Sequence, residues 1–276
     1  MPDAVVPRGR WAVALALVVL SGPIIVMYGW LLLASFSGSI TGLVPHGLAL
    51  ENWRFLWSTL PNQANAWVAT ANSLTFAVAL AVLELCVGSM AAYALSRLNF
   101  PGRGVFLSST IALHSFPSVT LLIAIFLILR FLGLYDRLAG VIFVKLALDL
   151  PLGIWIMKGF YDGVPWDIEM AALTDGYSRL RVWWRVMLPL IKPGLFAFGI
   201  FAFLSGWNEF LLPYVLLPSQ GSQTLSVLMA GLAGEERFAD YGLVTALAVF
   251  YILPAVLIFT LTQKYLLQIF SGGVKG

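Results

Sequence analysis

The sequence predicts an all-α integral membrane protein with six membrane-spanning helices, and three observations carry that prediction. Sixty per cent of the 276 residues are apolar and only 11% are charged, against about 25% charged in soluble globular chains. Apolar windows of about 20 residues, the length that crosses a hydrocarbon core, recur six times. The segments between them collect nearly all the Lys and Arg.

The spans are expected at 11–35, 67–95, 105–130, 138–157, 194–217 and 241–267. Arg8 and Arg10 before the run from Trp11 to Ala34 imitate a secretory signal. A signal core is about 7 to 15 residues, however, and this run is long enough to span, so an uncleaved first helix is expected. Pro23, Pro117, Pro151, Pro213 and Pro254 interrupt the spans, and kinks are expected there because neighbouring helices can satisfy the freed backbone. The loop at 36–66, with Pro45, Gly47, Glu51 and Asn52, is too long for a tight connection and is expected to form a small outer cap. The loop from Pro218 to Asp240 turns acidic at Glu235 and Glu236. The chain thus divides into an N-terminal helix with outer loop at 1–66, a five-helix core at 67–267 containing a polar loop at 158–193, and a tail at 268–276. No internal repeat is legible.

Charge sets the orientation. Arg8, Arg10, Arg97, Arg103, Lys158, Arg179, Arg181, Arg185, Lys192, Lys264 and Lys275 fall on one side, while Arg54, Arg130, Arg137 and Arg237 fall on the other. The positive-inside rule makes the first side cytoplasmic, with both termini. The basic residues are scattered among loops and not gathered on one face, which excludes a nucleic-acid binder. Cys86 is the single cysteine, so an internal disulfide and a multi-cysteine metal site are excluded.

The stretch from Pro165 to Pro193 is a polar island with the logic of helix, elbow, helix. Pro165 suits a first turn, and Asp167 and Glu169 complement the positive end of a helix starting near Trp166. Gly176 permits the bend, Ser178 can cap the second helix, and Pro189 with Pro193 are expected to stop it. Leu180, Trp183, Trp184 and Met187 share an apolar face, which places this helix at the membrane surface. The first helix, with small Ala171 and Ala172, is then open to a partner docking from the water side.

Four ionisable residues lie within spans: Glu84, Lys145, Asp149 and Glu209. Each costs about 2.5 to 3.5 kcal/mol on insertion scales and calls for a partner or a function. Lys145 and Asp149 stand one turn apart and can neutralise each other. Glu209 belongs to a cluster, Trp207, Asn208, Glu209 and Phe210, with the parts of a polyol or sugar site: hydrogen-bonding groups for hydroxyls and a tryptophan face for a sugar ring. Helix–helix bonding by Asn208 and Glu209, with Trp207 as an interfacial anchor, is an equal alternative. The hydroxyl-rich start of the third span, Ser108 to Thr120 around Pro117 and His114, is expected to pack helices.

The chain has no G-x-x-x-x-G-K-[ST], H-E-x-x-H or G-x-S-x-G, so a P-loop ATPase and the common hydrolases are set aside. Ser115 beside His114 is the one candidate nucleophile and base. An ion-coupled secondary carrier using Glu84 or Glu209 is the alternative transporter reading.

The polar island resembles the signature loop of ABC-transporter permease subunits from bacterial importers, E-A-A-x-x-x-G followed by I-x-L-P. Met170-Ala171-Ala172, Asp175-Gly176 and Met187-Leu188-Pro189 fall on that frame. Ala92-Tyr93-Ala94-Leu95-Ser96-Arg97, Phe100-Pro101-Gly102-Arg103, Trp207-Asn208-Glu209-Phe210, Gln263-Lys264-Tyr265 and Gly273 to Gly276 are similar to the carbohydrate importers, in the maltose-permease (MalG-like) branch.

That resemblance implies a type I importer permease fold in the bacterial inner membrane and a cytoplasmic coupling helix. It implies a MalF-like second permease, two ATPase subunits that bind ATP and Mg, and an extracytoplasmic solute-binding protein. This chain would then be non-catalytic and hold no cofactor itself. It would form half of a pathway for a sugar, polyol or related glycoside. Glu169, Met170, Ala171, Ala172, Asp175, Gly176, Leu188 and Pro189 would couple to the ATPase, and Trp207, Asn208, Glu209 and Phe210 would line the pathway. One departure stands out: Met170 occupies the position of the family's glutamate, and Glu169 keeps the preceding acid.

Overall fold

The computed structural model describes residues 10–60, 63–234 and 240–272. Arg8, Glu235, Glu236, Arg237 and Gly273 to Gly276, all used above, lie outside the described residues, as do the side chains of Arg10, Lys264 and Tyr265. In chain order the elements are α1 (Arg10–Ser35), β1 (Ser39–Thr41), β2 (Val44–His46), α2 (Ala66–Leu83) and α3 (Ser89–Arg97). There follow α4 (Arg103–His114), α5 (Ser118–Phe131), α6 (Leu138–Asp162), α7 (Trp166–Thr174), α8 (Arg179–Val182) and α9 (Leu188–Leu190). The last are α10 (Lys192–Trp207), α11 (Leu211–Leu216), α12 (Leu225–Gly234) and α13 (Tyr241–Gly272).

Among the described residues, four helices are long and apolar enough to cross a membrane: α1, the continuous α2–α3 rod, α6 and α13. Two bent pairs bring the count to the expected six if each is one crossing. One is α4 with α5, bent by 97°, and the other is Arg179–Leu190 with α10, bent by 83°. The third span at 105–130 is therefore not a single rod. Pro117 lacks an N–H and has extended ψ, so the helix stops at His114 and restarts at Ser118. The fifth span also breaks. Its first helix ends at Trp207, about 24 Å from Lys192, and the Glu209 carboxylate accepts from the Leu212 backbone N–H to start α11.

The chain folds as two compact units, residues 1–61 with 229–253 and residues 62–228 with 254–276. The first joins stretches far apart in sequence, so it is not the simple N-terminal block expected at 1–66. Its β1–β2 hairpin pairs Ile40 with Pro45, and the short helical turn Glu51–Leu56 follows. Asn52 donates to the carbonyls of Ser35 (3.1 Å) and Ser37 (2.8 Å), and Arg54 pairs with Asp240 at 2.8 Å. Burial raises the Asp240 carboxyl, but hydrogen bonds from Arg54 and the Leu243 N–H outweigh it and hold the group below its usual range.

The second unit is the helical bundle. Asn65 caps α2 by accepting from the N–H groups of Trp67 and Val68. Gly206 lets α10 close on α2, since a Cβ there would lie 2.9 Å from the Ala77 backbone. One core cluster gathers Phe76, Leu129, Val141, Leu212 and Leu216 from α2, α5, α6 and α11. A second gathers Tyr93, Ile154, Met157, Tyr161, Ala172, Val182, Trp183 and Met187 beneath the polar island. Asp136, at φ +58°, clasps the loop between α5 and α6 to the one after α11, accepting from the hydroxyls of Ser219 and Ser222 and from the Ser219 N–H.

Candidate functional site

The polar island folds as the sequence expects in outline. Pro165 is the N-cap of α7, one residue outside the helix, and Gly176 turns the chain at φ +84°, a conformation that favours glycine. Ser178 stands at the N-cap of α8 but makes no side-chain cap bond. Pro189 does not end the second helix. The ladder widens into a π turn at Trp183–Met187, α9 passes through Pro189, and the break falls at Ile191. That widening accommodates a residue with no N–H to give.

The exposed surface of α7 and its elbow includes Met170, Ala171, Asp175 and Gly176 beside Trp166, Asp167, Ile168 and Thr174, with Met170 49% exposed. Ala172 and Glu169 face inward, and Leu188 is half-buried with Pro189 exposed. The apolar face proposed for the second helix splits in two. Leu180 and Trp184 point outward, whereas Trp183 and Met187 join the core together with Val182.

Glu169 is the unexpected residue. Its side chain is fully buried, so its carboxylate offers nothing to a partner surface. One oxygen accepts a 2.7 Å hydrogen bond from Tyr93 and has Arg179 3.6 Å away. The other lies 3.2 Å from Nε of Arg97, itself buried, an ion pair without hydrogen-bond alignment. Arg97 in turn donates through Nη2 to the carbonyls of Tyr161 (2.6 Å) and Val164 (2.5 Å), and its guanidinium sits over the Trp166 ring at 5.0 Å. Nearby, the Tyr161 hydroxyl accepts from Trp183 and shares a hydrogen bond with Ser89. In the sequence Tyr93 and Arg97 stand only within a motif and a charge count. Their four-residue spacing puts them on one face of α3, which is the signal that could have found them.

A second polar cluster lies inside the spans. Lys145 bridges Asp149 (3.1 Å) and Glu209 (2.9 Å), and Ser205 donates to Asp149 at 2.9 Å. The pair expected within one helix is thus a three-residue bridge between α6 and the break after α10. A cavity of about 420 Å³ is lined by Glu84, His114, Asp149 and Ser205 among apolar residues. Another, of about 230 Å³, shares His114 and Asp149 and adds Lys145 and Glu209. Glu84 is only 3% exposed, and its Oε1 has no hydrogen-bond partner among the described residues. His114 faces the Leu148 carbonyl at 3.3 Å.

Of the four pathway residues expected from sequence, Glu209 lines one of these cavities and the other three do not. Trp207 is 1% exposed and stacks on Phe203, so its ring offers no open face to a sugar. The close approach of α10 to α2 at Gly206 draws it inward. Asn208 ends α10, and Phe210 packs on Tyr214. The sequence reading missed Ser205 and the joining of Glu84, His114 and Asp149 around one cavity.

Residues 84–269 match the family described as the binding-protein-dependent transport system inner membrane component. The chain belongs to this family. It is a multi-pass inner membrane permease subunit. It is 33% identical over 270 residues to the diacetylchitobiose uptake permease NgcG of Streptomyces coelicolor, covering 95% of this chain and 88% of that one. The sulfoquinovosyl glycerol permease SmoH of Agrobacterium fabrum is 34% identical, covering 84% and 80%. The trehalose/maltose permease MalG of Thermococcus litoralis is 29% identical, covering 90% of each. A crystal structure of a bacterial ABC transporter importing the acidic polysaccharide alginate contains a chain of the same fold. Its TM-score is 0.73 at 22% identity, covering 96% of this chain and 99% of that one.

Proposed function

We propose that this chain forms half of the transmembrane pathway of an ATP-driven importer for a sugar, polyol or related glycoside, beside a MalF-like second permease. Both termini face the cytoplasm. Two ATPase subunits bind ATP and Mg and carry out hydrolysis, and a solute-binding protein delivers cargo to the outer face. The observation that carries the reading is the pairing of an exposed elbow helix, α7, with a polar, cavity-bearing bundle in one chain of this family. Met170, Ala171, Asp175 and Gly176 form the surface that seats on an ATPase, with Leu188 and Pro189 bracing the second helix. Met170 is flexible and polarizable and suits an apolar groove. ATP binding closes the ATPases, the elbow moves, and the bundle exchanges inward- and outward-open states. Glu209, with Asp149, Ser205, His114 and Glu84, supplies acceptors and donors for hydroxyl groups along the way.

The test is uptake of labelled diacetylchitobiose, trehalose and maltose into proteoliposomes carrying the assembled importer. Uptake of at least one that requires internal Mg-ATP and the binding protein, and that is lost with Gly176→Pro, is expected. Proline cannot adopt the positive φ of position 176. Uptake driven by a proton or sodium gradient without ATP would instead establish the ion-coupled carrier.

A further inference from the structure

A helix that pushes on a membrane bundle needs a firm connection to it. The backbone links are short turns, through Gly163 and Pro165 before α7 and Gly176 after it, and they lead only into the neighbouring elements in sequence. A connection to the α2–α3 span can come only through side chains. Glu169 sits at the fourth residue of α7, fully buried, with Tyr93, Arg97 and Arg179 all directed at its carboxylate. Arg97 is the hub: one guanidinium meets Glu169, the carbonyls of Tyr161 and Val164, and the ring of Trp166.

We propose that Arg97 is a positioning residue for transport: through Glu169 it locks α7 to the end of the α2–α3 span, so that helix moves as one body with the coupling element. The proposal rests on the docking role given to α7 above. The chemistry favours arginine, because a planar fork can satisfy acceptors in several directions at once and a lysine ammonium cannot stack in the same way. Burial shields the pair from salt and from exchange with water. A neighbouring tie fixes the same end of α3 to α6, since Ser96 donates to Asp162 at 2.6 Å while Lys158 pairs with the same carboxylate at 2.5 Å.

The destination of the motion is on the same rod. Glu84 lies thirteen residues before Arg97, about 20 Å along the helix axis, and it faces the 420 Å³ cavity. Movement of α7 is therefore delivered to the helix that presents the Glu84 carboxyl, whose Oε1 has no hydrogen-bond partner among the described residues, to the proposed pathway, in addition to α6 and α10, which flank the elbow in sequence.

The test uses the assembled importer in liposomes with Mg-ATP as the probe and cognate binding protein as the stimulus. In a Cys86→Ser background, cysteines at the exposed Asp167 and Asn99 carry spin labels, and Met170→Cys reports docking by cross-linking to the ATPase. The label distance is expected to stay constant between the nucleotide-free and vanadate-trapped states, and to shift or broaden on trapping once Arg97→Ala is added. Arg97→Ala should keep the ATPase bound and retain basal hydrolysis while binding-protein stimulation falls at least tenfold. Arg97→Lys should fall between, and Glu169→Ala should add little to Arg97→Ala. Wild-type stimulation in Arg97→Ala, or additive losses in the double variant, would overturn the lock. Should Arg97→Ala fail to assemble, the unaltered Arg97 chain still decides: a label distance that changes by several ångströms on trapping overturns the lock while the cross-link at 170 persists. Absence of that cross-link would overturn the docking reading and the lock together.

Discussion

Replacing Lys145 with methionine removes the single cation from the intramembrane bridge and leaves Asp149 and Glu209 facing each other's charge. The ammonium lies 3.1 Å and 2.9 Å from the two carboxylates, and the three side chains are 15–21% exposed. At such distances and an effective dielectric near 20, each attraction is worth about 5 kcal/mol. Much of that is offset by the desolvation of the ions, so the informative quantity is the cost of orphaning a partner, about 3 to 5 kcal/mol. Ser205 still donates to Asp149 and the Leu212 N–H to Glu209, which places the expected loss at the lower end, about 3 kcal/mol. SDS titration in mixed micelles followed by far-UV circular dichroism reads it. Adding Asp149→Asn and Glu209→Gln to Lys145→Met should restore at least half of the loss, because neutral amides need no counter-charge. A loss under about 1 kcal/mol in Lys145→Met would refute the claim that Lys145 compensates two buried acids.

Three further outcomes follow from positions described above. Glu169→Ala strands Arg97 in the interior and should cost about 3 kcal/mol in the same titration, while Met170→Ala, half exposed, should stay within about 0.5 kcal/mol. Gly206→Ala pushes a methyl against the Ala77 backbone and should destabilise by about 1 to 3 kcal/mol, with Gly221→Ala as a control where no atom lies within 4 Å. Burial raises the Asp136 carboxyl, but hydrogen bonds from Ser219 and Ser222 outweigh it and leave the group below its ordinary range. The unfolded chain therefore binds more protons, so the clasp contributes fully above about pH 4 and is lost as pH falls through the depressed value. Thermal midpoints at pH 6 and pH 3 should differ less in Asp136→Asn than in the parent.

The spans, their order and the elbow were legible because lipid imposes a coarse rule: twenty apolar residues, then polar ones. Breaks were less legible. Pro117 advertised a kink, but whether a proline bends a helix gently or by 97° depends on which neighbours satisfy the freed carbonyls. The break at Asn208–Phe210 depends on Glu209 turning to cap the next helix, a choice that no local pattern records. Burial within the polar island was the least legible property. Glu169 and Met170 are adjacent, and a polarity rule puts the glutamate outside and the methionine inside. The fold does the reverse because Tyr93 and Arg97 arrive from more than seventy residues earlier to receive the acid. Trp207 fails the aromatic-platform expectation for a similar reason, since its partner ring and the glycine that admits it belong to the packing of α10.

The π turn at Glu84–Gly88 gives the second span a phase setting. Relative to an unbroken α-helix, a π turn carries one extra residue, which rotates everything downstream by about 100° about the helix axis. Upstream of it, Phe76 and Leu80 face the core, and downstream Tyr93 and Arg97 face Glu169. Neither half could hold both alignments on a regular helix. Deleting one residue between Leu85 and Gly88 would leave composition, length and hydropathy almost unchanged and yet swing Arg97 a quarter-turn away from its acid. In this chain a single-residue gap at that point, invisible to any apolar-window count, is therefore a change of wiring between the two ends of the span.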